Sequence, residues 1–225
     1  MIFTFWEGKM PAYIDLCMKT WEFPFIVLTY DNLHQYTDLG IKKMKWLTLP
    51  QIADCVRVHV LRDNGGYWLD ADTIMITDNL PEENMIGYPE TRANTIGFLH
   101  AEPDSKMFEE WAEYQDRMLD RQNAPCHWSM FGNAFTDDYV KEHMDISICN
   151  VENCWPETYM IRQAVPRSEK YQRFYFGSSY TLADIRETDM LMLHNSWTPG
   201  WYKQLSEREV LEADCTLSNI LRELL

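Results

Sequence analysis

Asp70 and Asp72 stand two residues apart after a short apolar run, Tyr67-Trp68-Leu69, and together they offer hard oxygen ligands for a divalent cation. Side chains of a strand alternate faces, so an i, i+2 pair at a strand end is expected to point one way. A cation held there can itself hold a diphosphate. Asp-x-Asp alone is a weak signal, because acidic turns are common. Asp54 and Arg57, one helical turn apart just upstream, make it more specific, although by themselves they would read first as a buried structural ion pair. Late in the chain, His194-Asn195-Ser196-Trp197 follows another apolar run, Met190 to Leu193. An imidazole joined to carboxylates shifts metal preference from Mg²⁺ towards Mn²⁺.

These groups need elements to carry them. Ile2 to Phe5 reads as a buried strand that delivers Trp6, and Pro11 suits the first turn of a helix running to about Trp21. Phe25 to Tyr30 is an apolar run of strand length, expected to be buried on both faces of a mixed sheet. Residues 33 to 47 are irregular, and the basic cluster Lys42, Lys43 and Lys45 reads as a solvated loop. Thr48 is an N-cap and Pro50 an early helical position for a helix that ends at Asn64-Gly65-Gly66, with Ile52, Val56 and Val60 as its core stripe. Tyr67 to Leu69, Thr73 to Ile76, Met85 to Tyr88 and Thr95 to His100 are predicted strands. Ser105 to Arg121 is a predicted amphipathic helix, and Trp128 to Met144 a helix interrupted at Gly132-Asn133. Short strands are expected at Ile146 to Ile148 and Phe174 to Phe176. The tail opens on a capping box, Ser206 to Glu209, and continues as an amphipathic helix whose acidic polar face suits packing or homodimerisation. Strands alternating with helices, with no repeat and no linker, predict one α/β domain over residues 1–225.

Bulk properties narrow the partners. The 225 residues suffice for a sizeable core, and 46% hydrophobic with 14% aromatic content argues against disorder. A formal charge of −15 disfavours nucleic acid and a polybasic lipid anchor. An anionic ligand would therefore need local cations, which a bound metal and Arg57 could supply. The longest apolar run, Phe23 to Leu28, is far short of the ~20 residues of a spanning helix. Met1 to Trp6 has no basic n-region or cleavage site and reads as strand. The expectation is a cytoplasmic protein, at most peripheral to the inner face of the membrane. The six scattered cysteines then read as reduced thiols.

The segment from Ala53-Asp54 and Arg57 through Gly65-Gly66-Tyr67 to Asp70 and Asp72 resembles the core of the family 32 glycosyltransferases and of the related bacterial capsular polysaccharide synthesis proteins. Phe5-Trp6-Glu7-Gly8 with Pro11 is similar to that family's opening strand, and His194-Asn195-Ser196-Trp197 to its closing metal-and-phosphate segment. The likeness is strong over residues 1–100, faint over 101–185, and strong again near 190–201. It implies a single GT-A-type, Rossmann-like nucleotide-sugar-binding domain with a central mixed sheet flanked by helices. Residues 1–100 would form its donor part, and 101–225 the acceptor side, closing segment and C-terminal helix.

Carried over residue by residue, the resemblance implies Asp72 and His194 as ligands of Mn²⁺ or Mg²⁺, with Asp70 shared between metal and ribose. Asn195 and Ser196 could contribute in place of the imidazole. Trp6 would stack on uracil, and Tyr30 joins it among the nucleotide-side candidates. Asp54 and Arg57 would bind sugar hydroxyls and offset phosphate charge, and Trp197 would cap the diphosphate through its indole N–H. The implied reaction is retaining transfer of a hexose from a UDP-sugar to a glycan or lipid-linked acceptor in surface polysaccharide synthesis. Two readings stay open beside it: a non-catalytic nucleotide-sugar-binding domain and a nucleotide-sugar pyrophosphatase.

Overall fold

The computed structural model describes residues 1–40, 44–150 and 152–225. Lys42 and Lys43 of the expected basic loop lie outside the described residues. In chain order the strands are β1 (Ile2–Phe5), β2 (Phe25–Leu28), β3 (Gly66–Leu69), β4 (Thr73–Met75), β5 (Met85–Tyr88), β6 (Ala93–Ala101), β7 (Ile148–Asn150) and β8 (Met190–Met192). The helices are α1 (Ala12–Lys19), α2 (Leu49–Asn64), α3 (Lys106–Arg121), α4 (Asn133–Glu142), α5 (Glu157–Met160), α6 (Arg167–Phe176), α7 (Gly200–Lys203), α8 (Glu207–Glu212) and α9 (Thr216–Leu224). The chain divides into two compact units, the first built from residues 1–8, 24–70 and 81–150, the second from 9–23, 71–80 and 151–225.

The first unit is an α/β layer on a six-stranded mixed sheet of order β2-β1-β3-β6-β5-β7, with α2, α3 and α4 packed in it. β1 pairs in parallel with both β2 and β3, with Ile2 opposite Phe25 and Tyr67. β6 runs antiparallel to β3 and to β5, and β7 parallel to β5. β1 is buried along its length. β2 departs from expectation: it is an edge strand, where cover is thinner, so Phe25 is exposed and only Leu28 is fully buried.

α2 begins as its sequence dictates, with Thr48 and Gln51 closing a capping box. Ile52, Val56 and Val60 face the core, each burial contributing about 1.5–3 kcal/mol before entropy is counted. The helix stops at Gly65, whose φ of 64° closes its last turn. Gly66 then lets β3 lie close to the N-terminal residue, because a Cβ there would sit 2.6 Å from the Met1 carbonyl oxygen. Residues 128–132 are not helical, and α4 starts only at Asn133.

The second unit holds the two-stranded antiparallel ladder of β4 and β8, with Thr73 opposite Met192. Phe174 to Phe176, expected as a strand, is instead the last turn of α6, where Tyr171, Phe174 and Tyr175 recur at helical spacing on the buried face. The tail is two helices rather than one. The Ser206 capping box starts α8, the backbone breaks at residues 213–215, and α9 buries Leu217, Ile220 and Leu221 within this unit. No helix among the described residues is long and apolar enough to cross a membrane.

Candidate active site

In the first unit, β1, β2 and β3 run the same way, so their carboxyl ends share one sheet edge. Trp6 follows β1, Tyr30 lies two residues beyond β2, and Asp70 follows β3. Ligands of open α/β sheets characteristically bind outside such strand ends. The ends are tied together: the Trp6 N–H donates to the Leu28 carbonyl at 3.0 Å, and the Tyr30 N–H donates to Glu7 Oε2 at 3.0 Å. The Tyr30 ring leans on Phe5 at 5.7 Å between centroids. The Trp6 indole N–H is buried with no hydrogen-bond partner among the described residues, while the ring is half-buried.

Asp54, Arg57 and Asp70 form one cluster in this unit. The Arg57 guanidinium lies 3.0 Å from Asp54 Oδ1 and 3.3 Å from Asp70 Oδ1. Its remaining donors reach the Ile96 and Ala53 carbonyls, and its plane faces the Trp68 ring at 5.0 Å. The Trp68 indole N–H donates to Asp70 Oδ1 at 2.8 Å. So the ion pair that residue types alone would suggest is present, and Asp70 extends it. The expected strand alternation does not reach Asp70 and Asp72, because the ladder ends at Leu69 and residues 71–72 turn. The Asp70 N–H still bonds across, to the Gly97 carbonyl at 2.8 Å.

Burial pushes the Asp54 carboxyl up to about 6, Arg57 pulls it down, and Asp70 adds to the rise. With the folded value above the unfolded one, its contribution to stability is full below about pH 4 and is lost as pH rises through about 6. Two units correspond to about 3 kcal/mol. Asp54→Asn lacks this term, so the variant is expected to gain on the parent between pH 4 and 7. Urea unfolding of both proteins across that range checks it, and parallel pH profiles would refute the shift.

Two residues of this cluster had no visible role in the sequence. Gly132 packs against Asp54: a Cβ there would stand 3.0 Å from Asp54 Oδ2 and 2.6 Å from Ile96 Cδ1. Its signal, a glycine breaking a helical pattern, was legible, but not what it approaches. Gln115, fully buried on α3, donates to the Asp54 carbonyl at 3.0 Å and to the Phe131 carbonyl.

In the second unit, the β4–β8 ladder runs on to the closing segment. The Leu193 N–H donates to the Asp72 carbonyl at 3.2 Å, and the Asn195 N–H to Asp72 Oδ2 at 2.7 Å. His194 thus sits between two residues bonded to Asp72. Tyr13 donates its hydroxyl to Asn195 Oδ1 at 2.6 Å, and the His194 N–H donates to the Tyr171 hydroxyl at 3.3 Å. Burial holds the Tyr171 phenol well above its usual range, so it stays neutral and shares a hydrogen bond with Thr198 Oγ1. Ser196 is exposed, and the Trp197 ring lies 3.9 Å from the His194 ring.

Burial first and Arg167 second push His194 down to about 3, so the imidazole is neutral, the form that ligates metals. Its Nε2 is buried without a partner among the described residues. In donor type, the Asp72 carboxylate and a neutral imidazole with an unused nitrogen suit Mn²⁺ or Mg²⁺. Among the described residues no group of three or more His, Cys, Asp or Glu side chains gathers into a metal cage. An ion bound through one or two protein groups, completed by water and substrate phosphate, is the usual habit of Mg²⁺.

The model of one protein family, described as capsular polysaccharide synthesis protein, matches residues 1–152. No curated protein matches the chain.

Proposed function

Because the chain belongs to the capsular polysaccharide synthesis protein family, we propose that it is a glycosyltransferase that moves a hexose from a UDP-sugar, with retention and metal assistance, to a glycan or lipid-linked acceptor. The observation that carries this is the shared carboxyl edge of β1, β2 and β3, beyond which Trp6, Tyr30 and Asp70 follow, with Asp70 joined to the Asp54–Arg57 pair. An indole and a phenol ring suit a base and ribose, and carboxylates suit hydroxyl groups.

In this reading Trp6 stacks on the uracil and Asp70 accepts from the ribose. Asp54 and Arg57 bind hydroxyls of the sugar, and the Trp197 indole N–H donates to the diphosphate. Asp72 and His194 would hold Mn²⁺ or Mg²⁺, which when bound neutralises charge on the leaving diphosphate. No Asp or Glu outside these roles stands out as a nucleophile. The preferred route is therefore front-face, with the leaving phosphate taking the acceptor's proton, and it rests on family analogy.

Incubation with a panel of UDP-hexoses, Mn²⁺ and short glycan acceptors tests the proposal. UDP and a new glycoside are expected. Release of UMP and sugar phosphate would replace it with a pyrophosphatase, and tight binding without turnover of any donor would leave a binding domain.

A further inference from the structure

Arg167 opens α6, after the segment matched by the family model and outside every motif of the sequence. Its guanidinium lies 3.9 Å over the Trp155 ring and 5.7 Å from the Trp197 ring. Its Nε donates to Glu157 Oε1 at 3.2 Å. An arginine and a carboxylate that pair for structure alone readily form two parallel bonds. Here one bond forms. Among the described residues the terminal nitrogen NH2 is buried with no partner, and so is Glu157 Oε2. Glu157 is completely buried, whereas the Arg167 side chain keeps about a third of its surface. One carboxylate therefore holds the fork, two indoles flank it, and a charged donor is left unused.

The same indoles flank His194, stacked at 6.3 Å from Trp155 and tilted at 3.9 Å from Trp197. Arg167 is thereby part of the closing segment's surroundings in this unit. Charge points the same way. Arg57 is already shared by two carboxylates and two carbonyls, so little of its charge is left for an anionic donor in a chain of net charge −15. Among the described residues Arg167 faces a single carboxylate, which burial holds above its usual range.

We propose that Arg167, aimed by Glu157 and clamped by Trp155 and Trp197, binds a phosphate oxygen of the nucleoside diphosphate donor. This rests on the glycosyltransferase reading. A planar fork on an indole suits phosphate, since its donors are fixed before the ligand arrives.

Calorimetry with uridine, UDP and inorganic pyrophosphate, each with Mn²⁺, tests it on the parent protein, Arg167→Gln and Arg167→Lys. Arg167→Gln is expected to weaken UDP and pyrophosphate about ten- to a hundredfold, and to leave uridine unchanged. Arg167→Lys should recover part of the loss through charge without the fork. Because Arg167→Gln leaves the buried Glu157 unpaired, the double variant Glu157→Gln/Arg167→Gln is measured beside it and should show the same loss. UDP and pyrophosphate binding unchanged in both glutamine variants would overturn the proposal, as would a parent protein that binds neither. A parent that binds pyrophosphate through Arg167 but neither uridine nor UDP would support the anion site while removing the UDP-sugar reading.

Discussion

Asp72→Ala is expected to lower transfer from a UDP-sugar roughly a thousandfold, the rate equivalent of the several kcal/mol a metal supplies to a leaving diphosphate. Excess EDTA should produce a similar loss in the parent. The structure adds a competing cause, because Asp72 Oδ2 also accepts the Asn195 N–H at 2.7 Å and so helps hold the closing segment. Asp72→Asn separates the two. The amide oxygen can still accept that bond, but the charge that favours a cation is gone. If metal binding dominates, Asp72→Asn should be nearly as inactive as Asp72→Ala, and UDP affinity should no longer respond to Mn²⁺. An active Asp72→Asn protein, or turnover indifferent to EDTA, would sink metal dependence and leave Asp72 a tether.

The second large effect is on stability. Arg57→Met removes the cation shared by Asp54 and Asp70 and leaves the Asp54 carboxylate buried without compensation, which should cost about 3–5 kcal/mol. In a chain of this length that is a fall of roughly 10 °C in Tm. Asp54→Asn should be far milder at neutral pH. Arg57 keeps Asp70 at 3.3 Å, and the raised Asp54 carboxyl no longer has to ionise in a buried site. The contrast matters for function. A mild Asp54→Asn phenotype in melting joined to a large loss of transfer would mark the carboxylate as a donor-binding group. Loss of melting temperature with donor binding preserved would make Asp54 and Arg57 purely structural. Equal melting temperatures for Arg57→Met and the parent would contradict the buried pair itself.

Some of the site could be located in the sequence because its signals are local. The capping box at Thr48, the glycine stop at Gly65 and the one-turn spacing of Asp54 and Arg57 need only their own helix. The runs Ile2 to Phe5 and Tyr67 to Leu69 needed only apolar patterning, and Trp6 and Asp70 follow from where those runs end. The family, too, was legible, because the model match over residues 1–152 contains the opening strand and the segment from Ala53 to Asp72, whereas the closing segment at 194–197 lies outside it. Periodicity misled where aromatic residues crowd together. Phe174 to Phe176 reads as strand by β-propensity, but burial of Tyr171, Phe174 and Tyr175 on one face favours the helix.

What tertiary structure alone decided is which buried polar groups meet. Strand pairing brings Ile96 and Gly97 beside Arg57 and Asp70, and the close approach of Gly132 to Asp54 needs the turn before α4 to lie against α2. The β4–β8 ladder brings the Asn195 N–H to Asp72 across 123 positions of chain. Helix packing sets Arg167 against two indoles that sequence places 12 residues before it and 30 after. Caps and apolar periods are written into neighbouring residues. A buried donor, by contrast, takes whichever acceptor packing delivers, because leaving it unpaired costs more than almost any local preference can offset.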